Sequence, residues 1–138
     1  MSDPLYAPAL LRLAADATGA GRLSPADAEG HAHNLTCGDK VNVTLRLNAD
    51  GSIAGLAHDT RACVLAQASA SILGRFAVGT DAAHLRALRD GVTAMLKGGP
   101  APAAPFADYT ALAPAANHRN RHACVLLPLD AVLDALKS

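Results

Sequence analysis

Alternating apolar and polar residues predict a β-strand with one buried face near the middle of the chain. The alternating set comprises the apolar Val41, Val43, Leu45 and Leu47 and the polar Asn42, Thr44, Arg46 and Asn48. A period of two places the apolar members together on one side of a strand. Residues 48–52 read Asn-Ala-Asp-Gly-Ser, a composition that tolerates positive φ in a tight turn. Residues 53–60 can then return as the antiparallel partner, so the sequence predicts a hairpin.

Apolar residues at intervals of three and four predict helices on both sides of this hairpin. Residues 5–18 form the first, bounded by Pro4 and Gly19. A second begins at or near Cys63, a third runs from Thr80-Asp81 to Gly98, and the last follows Cys124 and contains residues 128–136. This order of helix, strands and helices predicts an α+β domain with a small antiparallel sheet.

Two segments lack a regular period. Residues 21–36, which include His31 and His33, are predicted to form a loop that leads to Cys37. Residues 100–105 are rich in alanine and proline and are predicted to form an extended connector. The sequence leaves open whether residues 100–114 are an ordered bridge or a mobile flap.

Length and charge exclude several classes of protein. The 138 residues fit one domain, and 12 basic against 12 acidic residues give a net charge of +0, which disfavours a nucleic-acid partner. No apolar run is long enough to cross a membrane, and the first residues, Met1-Ser2-Asp3-Pro4, do not resemble a secretory signal. We therefore expect a cytoplasmic protein, in which three cysteines stay reduced.

The three cysteines fall at predicted junctions between elements. Cys37 precedes the strand, Cys63 lies where a strand gives way to a helix, and Cys124 comes shortly before the last helix. Asp39 is two residues after Cys37, so both side chains can share one face of an extended chain, and the start of a helix favours thiolate at Cys63. Three thiolates and one carboxylate could complete a tetrahedral metal site.

Other interpretations of the same residues stay open. A cysteine in an alanine-rich chain is commonly a small buried apolar residue, which would make the protein an interaction module with structural cysteines. A catalytic zinc hydrolase ranks last, because it needs a general base and Glu29 is the only glutamate. His122, close to Cys124, fits a surface histidine better than a ligand.

The order of motifs along the chain resembles that of the IscU/NifU/SufU family. The motifs are the segment Thr36-Cys37-Gly38-Asp39-Lys40, then the alternating strand and the hairpin, then Cys63 with the small residues after it. Proteins of this family are scaffolds for iron–sulfur cluster assembly. The resemblance covers residues 5–136 and is closest to the SufU branch, zinc-containing acceptors of sulfur from a cysteine desulfurase. It implies one domain over residues 1–138, with a three-stranded antiparallel sheet and helices packed on one side.

The resemblance also implies a site. Cys37, Asp39, Cys63 and Cys124 match the family ligands, so the implied cofactor is zinc or a [2Fe-2S] cluster. Cys37 and Cys124 are the candidate sulfur acceptors, and Arg121, three residues before Cys124, matches an arginine that assists transfer. The implied partners are a cysteine desulfurase and apo iron–sulfur proteins. A zinc-dependent sulfurtransferase without a scaffold role is the alternative.

Three features depart from the family pattern, one of them being that the Asn-Pro-x-Asn stretch near the N-terminus is not evident. The Leu-Pro-Pro-Val-Lys motif by which a chaperone recognises IscU is missing, and Ala62 stands where the family usually has glycine before its second cysteine. The missing Leu-Pro-Pro-Val-Lys motif argues against partnership with a dedicated chaperone.

Overall fold

The computed structural model describes residues 7–35 and 38–137. The elements in these ranges are α1 (Pro8–Asp16), β1 (Ala28–Asn34), β2 (Asp39–Leu47), β3 (Ile53–Arg61), α2 (Val64–Phe76), α3 (Ala82–Leu96) and α4 (His122–Leu136). Two 3₁₀ helices, Ala107–Asn117 and Arg119–Arg121, join α3 to α4. The strands form one antiparallel sheet in the order β1-β2-β3, which confirms the α+β class.

The predicted hairpin is present. Val43 of β2 is paired with Gly30 of β1 and His58 of β3, which sets the register of the sheet. In the turn, the Asp50 carboxylate accepts the Ser52 backbone N–H. The side chains of Val41, Val43 and Leu45 in β2 face the helices and are almost fully buried, as their period of two requires, whereas Leu47 is half-buried.

The prediction of a loop over residues 21–36 is wrong for its second half, where residues 28–34 form β1. The inward positions 28, 30 and 32 carry only alanine or glycine, so the segment lacks the branched and aromatic residues that signal a strand. Gly30 is needed there because a Cβ would lie 2.1 Å from the Ala131 carbonyl oxygen of α4. His31 and His33 consequently lie on a strand.

The helices form a layer on one face of the sheet. α4 packs on β1 and β2, α2 packs on β3 and α4, and α1 packs on α2. α1 ends at Asp16 with Ala17 as its C-cap, and the backbone N–H of Thr18 then donates to the Ser71 hydroxyl of α2. α3 begins as predicted after Asp81, whose carboxylate accepts the His84 N–H. No helix in residues 7–35 and 38–137 is long and apolar enough to cross a membrane.

The connection from α3 to α4 is an ordered bridge, which answers the question that the sequence leaves open. Residues 100–105 have no helix, as predicted, but residues 107–117 are helical and bury Tyr109 and Leu112. The Tyr109 hydroxyl lies 2.8 Å from the Ser69 hydroxyl of α2, with both side chains fully buried. This contact fastens the bridge to the helix that follows Cys63.

The last helix begins earlier than predicted. α4 starts at His122, so Cys124 lies in its first turn and the predicted position before the helix is wrong. Pro128 is typical of a first turn, yet here it stands inside the helix. Because proline has no N–H, the Cys124 carbonyl loses its helical donor at this point.

Candidate metal centre

Three elements that are distant in sequence bring metal-binding side chains together. Asp39 is the first residue of β2, Cys63 immediately precedes α2, and Cys124 is the third residue of α4. One carboxylate oxygen and the two sulfur atoms all lie within 4.8 Å of one another. The centre therefore sits where one end of the sheet meets the starts of two helices.

Local turns aim two of these side chains. Gly38 has a positive φ of 74° and donates its N–H to the Asn34 carbonyl, which turns the chain from β1 into β2. On the other side, β3 ends at Arg61, and the Gln67 side-chain amide of α2 donates to the Ala62 carbonyl at 3.0 Å. This bond fixes the short connection on which Cys63 lies.

Asp39 is buried without full compensation. Asp39 is only 8% exposed, and its Oδ2 atom has no hydrogen-bond partner among the described residues. An unpaired polar oxygen in the interior costs free energy, more so when the carboxylate is ionised. A cation bound at this atom would remove that cost, so the observation fits a metal ligand.

Cys124 is a fully buried free cysteine. Burial, and next the neighbouring Cys63 and Asp39 side chains, raise the pKa of the Cys124 thiol. In the metal-free protein this side chain is therefore a neutral thiol at physiological pH. Metal binding requires the thiolate, so it must displace this proton.

The donor set fits a tetrahedral site for a soft metal. With zinc–sulfur bonds of about 2.3 Å, tetrahedral geometry separates two sulfur ligands by about 3.8 Å. The three atoms, all within 4.8 Å of one another, need only small movements to reach such spacing. The predicted fourth ligand, Cys37, lies outside the described residues.

The other predicted functional residues near α4 do not join this cluster. Arg121 directly precedes α4 and has no ion pair within residues 7–35 and 38–137. The half-buried His122 ring donates from Nε2 to the Ala115 and Ala116 carbonyls at 3.1 and 3.3 Å. His122 therefore fastens the start of α4 to the 3₁₀ bridge.

Three supporting residues were not identified from sequence. Gln67 lies four residues after Cys63, a helical spacing that could have drawn attention to it. Ser69 and Tyr109 are 40 positions apart, and no sequence pattern connects them. The residues that hold the metal ligands in place are therefore harder to predict than the ligands.

A cavity that borders the sheet is separate from the metal centre. It measures about 410 Å³ and is lined by residues that include Glu29, His31, Asn42 and His58, but by none of the three clustered side chains. The cluster is thus suited to an ion, not to an organic substrate of the size that this cavity could hold.

Comparison with known protein families gives one match over most of the chain. The model of the NifU-like N terminal domain matches residues 5–124, a range that includes all four predicted ligands. The iron–sulfur cluster assembly scaffold protein IscU of Thermotoga maritima is 25% identical, over 96% of this chain and 93% of that protein.

Solved structures share the fold. A nitrogen-fixing NifU-like protein (N-terminal) from Brucella abortus is 39% identical, with a TM-score of 0.92 over 98% of this chain and 94% of that chain. A structure assigned to the iron–sulfur cluster assembly scaffold of the SUF system from Fervidobacterium islandicum has a TM-score of 0.84 at 19% identity, over 99% of each chain. The second likeness bears on the fold alone.

Proposed function

The chain belongs to the NifU-like N-terminal domain family, and on this premise we propose that it is an iron–sulfur cluster assembly scaffold that receives sulfur from a cysteine desulfurase. The similar IscU of Thermotoga maritima is named an iron–sulfur cluster assembly scaffold protein. We also propose that residues 1–138 act as a single domain, in the cytoplasm, where thiols stay reduced.

The observation that carries this proposal is the buried cluster of two thiols and one carboxylate. The Asp39 carboxylate lies in this cluster with the sulfur atoms of Cys63 and Cys124, and its Oδ2 atom has no hydrogen-bond partner among the described residues. If the cysteines were only structural, a buried carboxylate beside them would be an unexplained cost. A bound cation accounts for all three side chains together.

We propose Cys37, Asp39, Cys63 and Cys124 as the ligands, with zinc or a [2Fe-2S] cluster as the occupant. Thiolates bind both, so the ligand types do not choose between them. When bound, either occupant supplies positive charge that keeps the cysteines as thiolates. Asp39 is a harder ligand than a fourth thiolate, which favours exchange, and a scaffold must release the cluster that it builds.

The burial of Cys124 bears on which cysteine accepts sulfur. A sulfur atom with no exposed surface is out of reach of a persulfide on a second protein. We therefore assign the first step to Cys37 and propose that Cys124 receives sulfur only after the site opens. The Cys37 thiolate attacks the outer sulfur of the persulfide, a new S–S bond forms on Cys37, and the desulfurase cysteine leaves as a thiolate.

Arg121 has a supporting role in this proposal. It directly precedes α4, three residues before Cys124, and has no ion pair among the described residues. Its guanidinium is always charged and is free to stabilise negative sulfur during transfer. Apo iron–sulfur proteins are the proposed recipients of the finished cluster.

Metal analysis of protein purified without oxygen tests the ligand set. We expect about one metal per site in the wild type and at least tenfold weaker binding in Cys63→Ser, Cys124→Ser and Asp39→Ala. Asp59→Ala is the matched control, because Asp59 is an exposed carboxylate in the same sheet. Circular dichroism of each variant verifies folding. Unchanged metal content in all the variants would refute the site.

A visible absorption spectrum and a sulfur-transfer assay separate the two occupants and the two activities. Iron–sulfur centres absorb visible light, whereas zinc is silent because its d shell is full. With a desulfurase and L-cysteine, mass spectrometry should find the persulfide on Cys37. A colourless zinc protein that accepts sulfur but never assembles a cluster would favour the sulfurtransferase alternative.

A further inference from the structure

The balance of charge over the whole chain hides a local excess of basic side chains. The net charge is +0, but residues 109–129 contain no aspartate or glutamate. The same stretch contains His118, Arg119, Arg121 and His122. This sequence lies in the bridge and the first turn of α4, so the excess is placed beside the proposed metal centre.

Part of this excess lines a groove. The end of α3 meets the 3₁₀ bridge and the start of α4 around a cavity of about 590 Å³, here called the cationic groove. Its polar lining consists of Lys97, Asn117, Arg119 and His122, and no carboxylate takes part. The remaining lining positions are leucine, alanine and glycine.

The basic residues of the groove lack the carboxylate partners that several other arginines of this protein have. Arg22, Arg75 and Arg89 form ion pairs with neighbouring carboxylates. Lys97 and Arg119 are exposed, and within residues 7–35 and 38–137 neither has a carboxylate within ion-pair distance. Their charge is therefore available to a molecule outside the chain.

Helix dipoles do not account for the positive electrostatic potential of the cationic groove. The C-terminal end of α3 is its negative end, and the N-terminal end of α4 is its positive end. Both ends border the cationic groove, so their contributions oppose each other. The side chains of Lys97 and Arg119 decide that the groove attracts negative charge.

Size and exposure indicate what kind of anion fits. The cavity is several times larger than a phosphate ion, and its two permanent cations are at the surface. Exposed charges around a shallow surface are typical of the polar part of a protein interface, where they steer the partner's approach. An extended acidic segment of a protein matches this shape better than a small anion does.

We propose that the cationic groove docks an acidic segment of the protein that exchanges sulfur or a cluster with the metal centre. This inference rests on the proposed function. His122 and Cys124 are two residues apart in α4, so they point to different sides of the same helical turn. A segment held in the groove would thus keep its protein within about one helix diameter of the buried thiols.

Fluorescence anisotropy with a labelled octaglutamate peptide and the full-length protein tests the groove. In about 50 mM salt we expect saturable binding that weakens in about 300 mM salt, because exposed charges are screened. The double variant Lys97→Glu/Arg119→Glu should bind at least about tenfold more weakly. Neither substitution touches a proposed metal ligand.

The matched control is Arg46→Glu, a charge reversal at an exposed arginine of β2 with no ion pair in the described part of the chain. It should bind the peptide within about twofold of wild type. Equal loss in the control, no peptide binding by wild type, or displacement of the peptide by micromolar inorganic phosphate would each overturn the proposal.

Zinc binding by the same proteins separates this inference from the function on which it rests. Wild-type protein that binds the peptide but no metal would overturn the proposed function alone. Protein that binds zinc but no peptide would overturn the docking groove alone. We expect Lys97→Glu/Arg119→Glu to bind zinc as tightly as wild type while it loses the peptide.

Discussion

α2 and α4 each bring one cysteine to the candidate centre, but the chain reaches their starts in different ways. Cys63 follows β3 after a single intervening residue and directly precedes α2. Cys124 comes after an irregular connection from α3 that includes the 3₁₀ bridge. One cysteine is therefore placed by its neighbours in sequence, whereas the other depends on contacts with distant parts of the chain.

The contacts that support the two helix starts are likewise short-range at α2 and long-range at α4. Near α2, the Gln67 amide bonds to the Ala62 carbonyl five residues earlier. Near α4, Tyr109 bonds to Ser69 across 40 positions, and the close approach of α4 to β1 requires glycine at position 30. We therefore expect substitutions that support α4 to have larger effects than those that support the start of α2.

The largest expected effect is that of Tyr109→Ala, which leaves a cavity where the fully buried Tyr109 side chain of the bridge packs. It should lower the free energy of unfolding by about 3–5 kcal/mol, measured by urea denaturation of the metal-free protein. Zinc affinity should fall as well, because the bridge leads to Cys124. The exposed Asn120→Ala is the control and should change stability by less than about 0.5 kcal/mol.

A second variant isolates the buried hydroxyl. Tyr109→Phe keeps the ring but leaves the Ser69 hydroxyl without its partner, which should cost about 1–3 kcal/mol. Adding Ser69→Ala should restore part of this loss. If Tyr109→Ala destabilised the protein no more than a change at Gln67, the contrast between the two helix starts would not hold.

Gly30→Ala should have the next largest effect. Its Cβ would lie 2.1 Å from the Ala131 carbonyl oxygen and 2.4 Å from the Ala135 nitrogen, so α4 or β1 must move. We expect a loss of about 1–3 kcal/mol in the free energy of unfolding, again by urea denaturation. Gly55→Ala is the control, because its Cβ would make only an ordinary contact, 3.5 Å from Leu23. Equal losses would contradict the close packing of α4.

A smaller effect is expected at the start of α2. Gln67→Met keeps the length of the side chain but removes the bond to the Ala62 carbonyl. This should cost about 0.5–1.5 kcal/mol, because the bond is only partly buried. Zinc affinity should change less than in Tyr109→Ala. A larger loss of zinc binding in Gln67→Met would reverse the order that we infer for the two helices.

The smallest expected effect is a dependence of stability on pH that comes from His58 of β3. The His58 ring donates from Nε2 to the Thr18 carbonyl, and its Nδ1 accepts from the Thr60 hydroxyl, so the neutral ring satisfies both partners. Burial lowers the pKa of His58 below its ordinary value of 6.5. The unfolded chain therefore takes up this proton more readily than the folded chain as pH falls through 6.5.

Stability from His58 is thus complete above its ordinary pKa and is lost progressively below it. Urea midpoints between about pH 7.5 and 5.5 should fall more steeply for wild type than for His58→Gln. The exposed His33→Gln is the control and should retain the wild-type slope. Parallel slopes for wild type and His58→Gln would contradict the assignment of a neutral buried ring.

The amino-acid sequence determined those features that depend on neighbouring residues. β2 follows from strict alternation, the hairpin from its turn residues, and α2 from apolar spacing after Cys63. The motif around Asp39 and the order of the cysteines indicated the family, which the comparisons confirm. These signals are short-range, so they can be read without knowing the fold.

The tertiary structure alone decided the features whose energy comes from distant contacts. β1 has small inward residues because α4 lies against them, and the bridge is ordered because Tyr109 is buried beside Ser69. The same packing buries the Asp39 carboxylate beside Cys63 and Cys124 and leaves its Oδ2 atom without a hydrogen-bond partner among the described residues. Burial and desolvation are properties of the assembled core, so no local pattern contains them.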